Sequence, residues 1–333
     1  MRTEKTCELL IHAALGAPCR HSHRYVQLKH LTILICSHNR SELLARTITS
    51  LNQAHRPLDW RIDLLVVANA CTDQTSTFLD TYQAQAADRN WLPLVWLAEP
   101  QPGKSHALNR AIPVLQSNLT ALVDDDHRVD ENYLTAICSA AESYPGATLF
   151  CGRILPDWDG SEPDWVHDTG PYRIYPLPVP VQDQGDTPHP VGLDGPKPGG
   201  GNLILRRAVF NRVGGFATEL GPQGHNLGGG EDTDFILRSL NAGEQLVYIP
   251  EIKQYHFVDP ERLRLGYLLR KSYQRSRAAV KMRPTRDGVP LYMWRKLAEY
   301  LFHATVSLHW AKSRFFLVRT AAMLGEIQGI RES

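Results

Sequence analysis

Thr120-Ala121-Leu122-Val123-Asp124-Asp125-Asp126-His127 joins an apolar run to three consecutive carboxylates. Like charges held side by side repel one another, so stability alone does not select such a cluster. Two arrangements make it tolerable. A divalent cation can sit on it, and oxygen ligands of this kind suit Mg²⁺ or Mn²⁺. Alternatively it is a solvated acidic turn that caps the next helix. The flanking sequence has to separate the two.

Upstream, the apolar runs 31–36, 62–67 and 94–97 read as strands buried on both faces. Helical periodicity follows each of them, over 42–51, 75–87 and 104–115. Apolar strands alternating with helices predict an α/β fold with a doubly wound, mostly parallel sheet. Ligands bind such sheets at the carboxyl ends of the strands. The polar loops 37–40, 68–73 and 98–103 and the carboxylates all fall at that edge. Gly103-Lys104-Ser105 looks like the end of a phosphate-binding loop, but Ala98 stands where its first glycine belongs, and Pro100 and Pro102 lack backbone donors.

Downstream, a helix is expected over 131–143 and a strand over 148–154. Residues 155–198 are rich in Pro, Gly, Asp and Trp, without periodicity, as in a long functional loop. Trp158, Trp165, Tyr172 and Tyr175 either form an aromatic platform or pin this loop to the core. Gly199-Gly200-Gly201-Asn202 then opens a strand, and 208–213 a short helix. Gly228-Gly229-Gly230-Glu231-Asp232 opens a helix to about residue 242, followed by short strands at 246–249 and 254–257. The two acids complement the helix dipole, or the glycines form a flexible lip holding an acid over a site.

The 333 residues carry a formal net charge of +1, which argues against a nucleic-acid protein relying on a basic surface. Six scattered cysteines without a C-x-x-C pair indicate reduced thiols in a cytosolic protein. Residues 1–28 lack the pattern of a targeting signal and read as an N-terminal extension. No segment approaches the roughly 20 apolar residues of a membrane span. Residues 263–333 read as basic, aromatic-rich amphipathic helices, suited to packing on their own domain, to a second copy in a homodimer, or to peripheral contact with the inner face of a membrane. The expected division is thus 1–28, a domain over 29–262 containing the 155–198 loop, and a C-terminal helical region over 263–333.

Taken in order, these segments resemble the family 2 glycosyltransferases of GT-A fold. Residues 32–40 are similar to that family's V-S-V-I-I-P-T-Y-N-R, and 66–75 to V-V-D-N-G-S-T-D-G-T. Residues 102–111 are similar to p-G-x-x-x-A-R-N-x-G, and Asp124-Asp125-Asp126 to D-x-D. Residues 200–207 are similar to G-x-N-x-x-x-R-R, 213–216 to v-G-G-F, and Gly230-Glu231-Asp232 with Arg238 to G-E-D-x-x-x-x-x-R. His256 stands where many members carry a histidine after the final strand. There are departures. Ala68 replaces the aspartate that often contacts the nucleotide base, Leu108 replaces an arginine, and the Q-x-x-R-W of processive synthases is absent.

The resemblance implies an inverting transfer of sugar from a nucleotide-diphosphate donor to a hydroxyl acceptor, glycan or lipid-linked. Charge developing on the leaving diphosphate calls for a metal, Mn²⁺ or Mg²⁺, and the acceptor proton calls for a carboxylate base. Asp232, with Glu231, is the expected catalytic acid pair. Ser37, Asn39, Arg40, Asn69, Lys104, Asn109, Asp124 and Asp125 are expected around the donor. Asp124, Asp126 and His256 are expected at the metal. Gly201, Asn202, Trp158 and Trp165 are expected on the acceptor side. Two other classes share parts of this pattern: a nucleotidyltransferase-like enzyme, and an inactive glycan-binding module.

Overall fold

In the computed structural model the apolar runs become adjacent strands. It describes residues 29–220, 230–280 and 288–332. The expected N-terminal extension, the glycines Gly228 and Gly229, and the cysteines Cys7 and Cys19 lie outside the described residues.

Strands β1 (Lys29–Ser37), β2 (Trp60–Asn69), β3 (Leu94–Glu99) and β4 (Leu119–Asp124) pair in parallel, in the order β3-β2-β1-β4. Helices α1 (Ser41–Gln53), α2 (Thr75–Gln85) and α3 (Lys104–Ala111) make the crossovers. Alternate side chains of each strand serve two cores. Leu31, Ile33 and Ile35 pack on one face with α1 and α2, while Leu34 packs on the other with Ala107 and Leu108 of α3. This is why the strands read as unbroken apolar runs. The register aligns Ser37 with Ala68, Cys36 with Asp124, and Asn69 with Glu99, so three polar loops and the carboxylates start at one level of one edge.

The second half of the sheet is mixed. After β5 (His127–Val129) and α4 (Tyr133–Ser143) come β6 (Leu149–Asp157), β7 (His189–Val191) and β8 (Asn202–Arg206). Next are α5 (Ala208–Val213), α6 (Glu231–Asn241) and β9 (Leu246–Phe257). β8 runs antiparallel between β4 and β6, and places Asn202 opposite Val123. The glycines before Asn202 therefore pass beside the three aspartates. β5 pairs antiparallel with β9, setting His127 opposite His256.

Several elements depart from expectation. The strands expected at 246–249 and 254–257 are one strand, β9. Pro250 splits the pattern because residues 249–252 fall in a shift of the β6–β9 register. β5 and β7 were not expected, since three residues are too few to show a period. The helix expected over 104–115 ends at Ala111 and continues as a short turn containing Pro113.

Helices α7 (Leu265–Val280), α8 (Leu291–Val306) and α9 (Trp310–Arg331) close the chain. Gly325 and Gly329 let α9 lie against α7, for a Cβ at Gly325 would come within 2.1 Å of the Tyr273 carbonyl oxygen. The 155–198 loop rests on these helices: Tyr172 packs on Phe315 and Phe316, and the Arg314 guanidinium covers Trp165. Cys36, Cys71, Cys138 and Cys151 are free thiols. No helix of the described residues is long and apolar enough to cross a membrane.

Candidate active site

The three aspartates divide at once. Asp124, the last residue of β4, takes the Lys104 ammonium at 2.8 Å. Burial opposes ionisation of Asp124, but Lys104, His127 and His256 overcome it and hold the carboxyl well below the usual range. Burial likewise works against the Lys104 charge, yet Asp124 and Asp232 hold its pKa well above the usual lysine value. Asp125 points back into the fold. It accepts from Ser37 Oγ at 2.7 Å and Arg40 at 3.1 Å, and its backbone carbonyl accepts from Thr47. Burial raises its pKa to about 6, against the pull of Arg40. Asp126 also meets Arg40 at 3.1 Å and turns to the two histidines. A cavity of about 270 Å³ lies over this cluster, lined by Ser37, His38, Arg40, Asn69, Gly103, Lys104, Asp124, Asp125, Asp126 and His256, with Cys36 and Pro102. Burial pushes the Cys36 thiol up to about 12, so it stays protonated and is no nucleophile.

The ligating atoms of Asp126, His127 and His256 lie within 4.8 Å of one another. A chain of hydrogen bonds fixes how the two rings present themselves. Asn202 Nδ2 donates to the carbonyls of Arg153 and Ile252, leaving Oδ1 to accept from Gln254 Nε2. Gln254 Oε1 must then accept, and it faces His127 Nδ1. His127 Nδ1 therefore donates to Gln254, and its Nε2 lies toward Asp126, 3.8 Å away. His256 repeats the pattern: Nδ1 donates to the Phe257 carbonyl, and Nε2 lies 3.7 Å from Asp126. Burial, with His127 beside it, lowers the His256 pKa despite Asp126. Two imidazoles and a carboxylate, backed by acceptors at each Nδ1, fit a divalent metal. The structure thus puts His127 in the group where the sequence expectation had Asp124, which Lys104 engages instead.

Asp232, in the first turn of α6, does not line this cavity and is joined to it through Lys104. Its Oδ2 accepts from Gly200 N at 2.9 Å and lies 3.8 Å from Lys104. Oδ1 is buried and, among the described residues, accepts no hydrogen bond; the same holds for Glu231 Oε2. Burial first, and then Asp232, raise the Glu231 pKa. The glycines explain the close approach. A Cβ on Gly200 would stand 2.1 Å from Asp232 Oδ1, and one on Gly201 would stand 2.4 Å from Asp124 Oδ2. Five carboxylates face two cations, Arg40 and Lys104, which leaves an excess of negative charge suited to a cation.

Other expected residues support the site, Asn39, Asn109 and Asn202 from outside the cavity and Asn69 from its wall. Asn39, at positive φ, accepts from the backbone of Thr72 and Asp73, tying the first two loops. Asn69 bonds Gln101 O and Gly103 N and so shapes the turn before Lys104. Asn109 exchanges both amide bonds with the Phe216 backbone. Asn202 is wholly buried in the network above. Trp158 and Trp165 do not reach the cavity; they pack with Val166, Val179, Val258 and Leu263. Arg270 and Arg275 are exposed on α7. Sequence reasoning missed His127, Gln254, His38 and Gly200. The H-R-V after the aspartates was the available signal for His127, but its pairing with β9 is a long-range fact. A larger hollow of about 600 Å³ between α1 and α2 has no carboxylate in its lining.

A mostly parallel sheet with an acidic, histidine-bearing cleft at its carboxyl edge is the arrangement expected of one class, the GT-A glycosyltransferases. The sequence model for glycosyl transferase family 2 matches residues 32–214, and the chain belongs to that family. It is 22% identical over 247 residues to the glucosyl-dolichyl phosphate glucuronosyltransferase of Haloferax volcanii, covering 73% of this chain and 74% of that one. It is 24% identical over 246 residues to the succinoglycan biosynthesis protein ExoM of Rhizobium meliloti, covering 74% and 72%. In fold it is similar to the mannosyltransferase PcManGT of Pyrobaculum calidifontis, solved with GDP-Man and Mn²⁺. The TM-score is 0.53, with 14% identity and coverage of 98% and 93%. The chain is therefore a transferase of the glycosyltransferase type.

Proposed function

We propose that this protein transfers a sugar, with inversion, from a nucleotide-diphosphate donor to a hydroxyl of a glycan or lipid-linked acceptor. The observation that carries the reading is Asp232 Oδ1, a buried carboxylate oxygen with no hydrogen-bond partner among the described residues, on a side chain 3.8 Å from the Lys104 ammonium that also engages Asp124. Asp126, His127 and His256 would hold the divalent ion, and two imidazoles favour Mn²⁺ over Mg²⁺. When bound, that ion neutralises charge on the departing diphosphate. Lys104 adds a fixed positive charge beside Asp124 on the same side. Gly200 N holds Asp232 by one oxygen, leaving the other to take the proton of an attacking hydroxyl. Arg40, Ser37 and Asp125 brace the aspartate turn. The mannosyltransferase bound to GDP-Man and Mn²⁺ supports the donor class, and the names of the two curated relatives support the acceptor class.

The test is a panel of nucleotide sugars with and without Mn²⁺, the products read by mass. Release of a nucleoside diphosphate is expected. Pyrophosphate would identify nucleotidyl transfer, and glycan binding independent of nucleotide and metal would identify a binding module.

A further inference from the structure

Helix α8 has two apolar faces, and only one is used. Met293, Leu297, Tyr300 and Ala304, spaced 4, 3 and 4 apart, form its buried stripe, and Met293 and Leu297 pack with Ile327 of α9. Leu291 and Phe302 lie on the opposite side of the helix and Trp294 and Leu301 on its flank, all exposed, with the Arg331 guanidinium over the Trp294 ring. The turn that follows adds Leu308, fully exposed at 100%, and Trp310 at 61%. A surface helix normally turns charge to solvent on the side away from its core. An uncovered aromatic and leucine stripe instead marks a surface that something else covers.

Charge identifies what covers it. Residues 263–333 contain fourteen Lys and Arg against four Asp and Glu, a net +10 in a chain whose total is +1. The residues before 263 therefore carry −9, and the basic charge is concentrated in the region bearing the apolar stripe. A second copy docked on this face would bring two such +10 regions together. An anionic lipid surface instead answers both features, taking Trp, Phe and Leu into the headgroup boundary and attracting Arg295 and Lys296 beside them. Arg295 and Lys296 are exposed on α8 itself, beside the stripe.

We propose that α8 and the turn to α9 form a docking surface for an anionic lipid bilayer, with Phe302 and Trp310 as its apolar anchors. The proposal does not depend on the transfer chemistry, because neither residue lies near the carboxylate cleft. The test uses the full chain with vesicles of phosphatidylcholine alone or phosphatidylcholine with phosphatidylglycerol. Co-sedimentation is expected with the anionic vesicles only, weakening as salt is raised. A double substitution, Phe302→Ser with Trp310→Ser, replaces exposed side chains, so its fold should persist. It should lower partitioning by roughly tenfold or more while leaving the thermal shift with a nucleoside diphosphate and Mn²⁺ unchanged. Hydroxyl-radical footprinting should find Phe302 and Trp310 oxidised in the free chain and protected by anionic vesicles. No partitioning into anionic vesicles overturns the proposal. So does a solution dimer that the double substitution splits, or protection of both residues in the free monomer.

Discussion

At the scale of single residues, the three aspartates divide the surrounding cations and hydroxyls among them. Asp124 belongs to Lys104, Asp125 to Ser37 and Arg40, and Asp126 to Arg40 and the two imidazoles. Asp126→Asn removes a charge that neither histidine can replace. Metal-dependent nucleotide binding should be lost, and a calorimetric titration with unchanged nucleotide–Mn²⁺ affinity would sink the assignment. Asp232→Asn should keep that binding but lower transfer by roughly 10²–10⁴-fold, the range for removing a general base. Turnover close to that of the parent enzyme would rule Asp232 out as base. Gln254 is the more discriminating position. It touches no substrate, yet its Oε1 fixes the proton of His127. Gln254→Leu should weaken Mn²⁺ binding about 10–100-fold, as expected for a lost hydrogen bond behind a metal ligand. Gln254→Glu, which keeps an acceptor oxygen, should retain more of the affinity, and manganese titration followed by electron paramagnetic resonance measures both.

At the scale of elements, strand register does what no single residue can. β8 starts opposite Val123 and carries two glycines past the aspartates, and β5 sets His127 across from His256. Gly200→Ala tests the first contact, since its Cβ must displace Asp232 Oδ1 or the α6 start. Turnover should fall at least tenfold while Mn²⁺ affinity, which Asp126 and the histidines set, changes little; unaltered kinetics would refute the close approach. The sequence shows the β1, β2 and β4 strands plainly, because both of their faces are buried. It shows β5 and β7 not at all, because their pairing is with distant β9. We propose that the catalytic unit spans 29–262 and that 263–333 forms its own helical region. Gly325→Leu should separate these readings: with Tyr273 O only 2.1 Å from the added carbon, overpacking should cost about 1–3 kcal/mol in the α7–α9 pair. Hydrogen exchange should find the loss confined to 263–332 and to the 155–198 loop that rests on these helices.

At the scale of the whole molecule, the proposed donor and metal site should be coupled to the fold, because the cleft lies where β1, β2, β4 and β9 end together. A nucleoside diphosphate with Mn²⁺ at a hundredfold its dissociation constant should stabilise the native state by about 2.7 kcal/mol. A chelator should reverse the rise in melting temperature, and a melting temperature indifferent to both would contradict a metal-dependent donor site. The sequence by itself determined the α/β order of elements, the sheet edge that carries the polar loops, and the Asp124–Asp126 and Glu231–Asp232 carboxylates. Those signals are local: runs of apolar residues, periodicity, and charges too close together to be there for stability. Only the tertiary structure decided which aspartate faces Lys104 and which faces the histidines, that His127 joins the cluster, and that Trp158 and Trp165 pack outside the cavity. Those outcomes depend on register and on hydrogen bonds between residues more than a hundred positions apart, such as His127 and Gln254, and local pattern carries no record of such pairings.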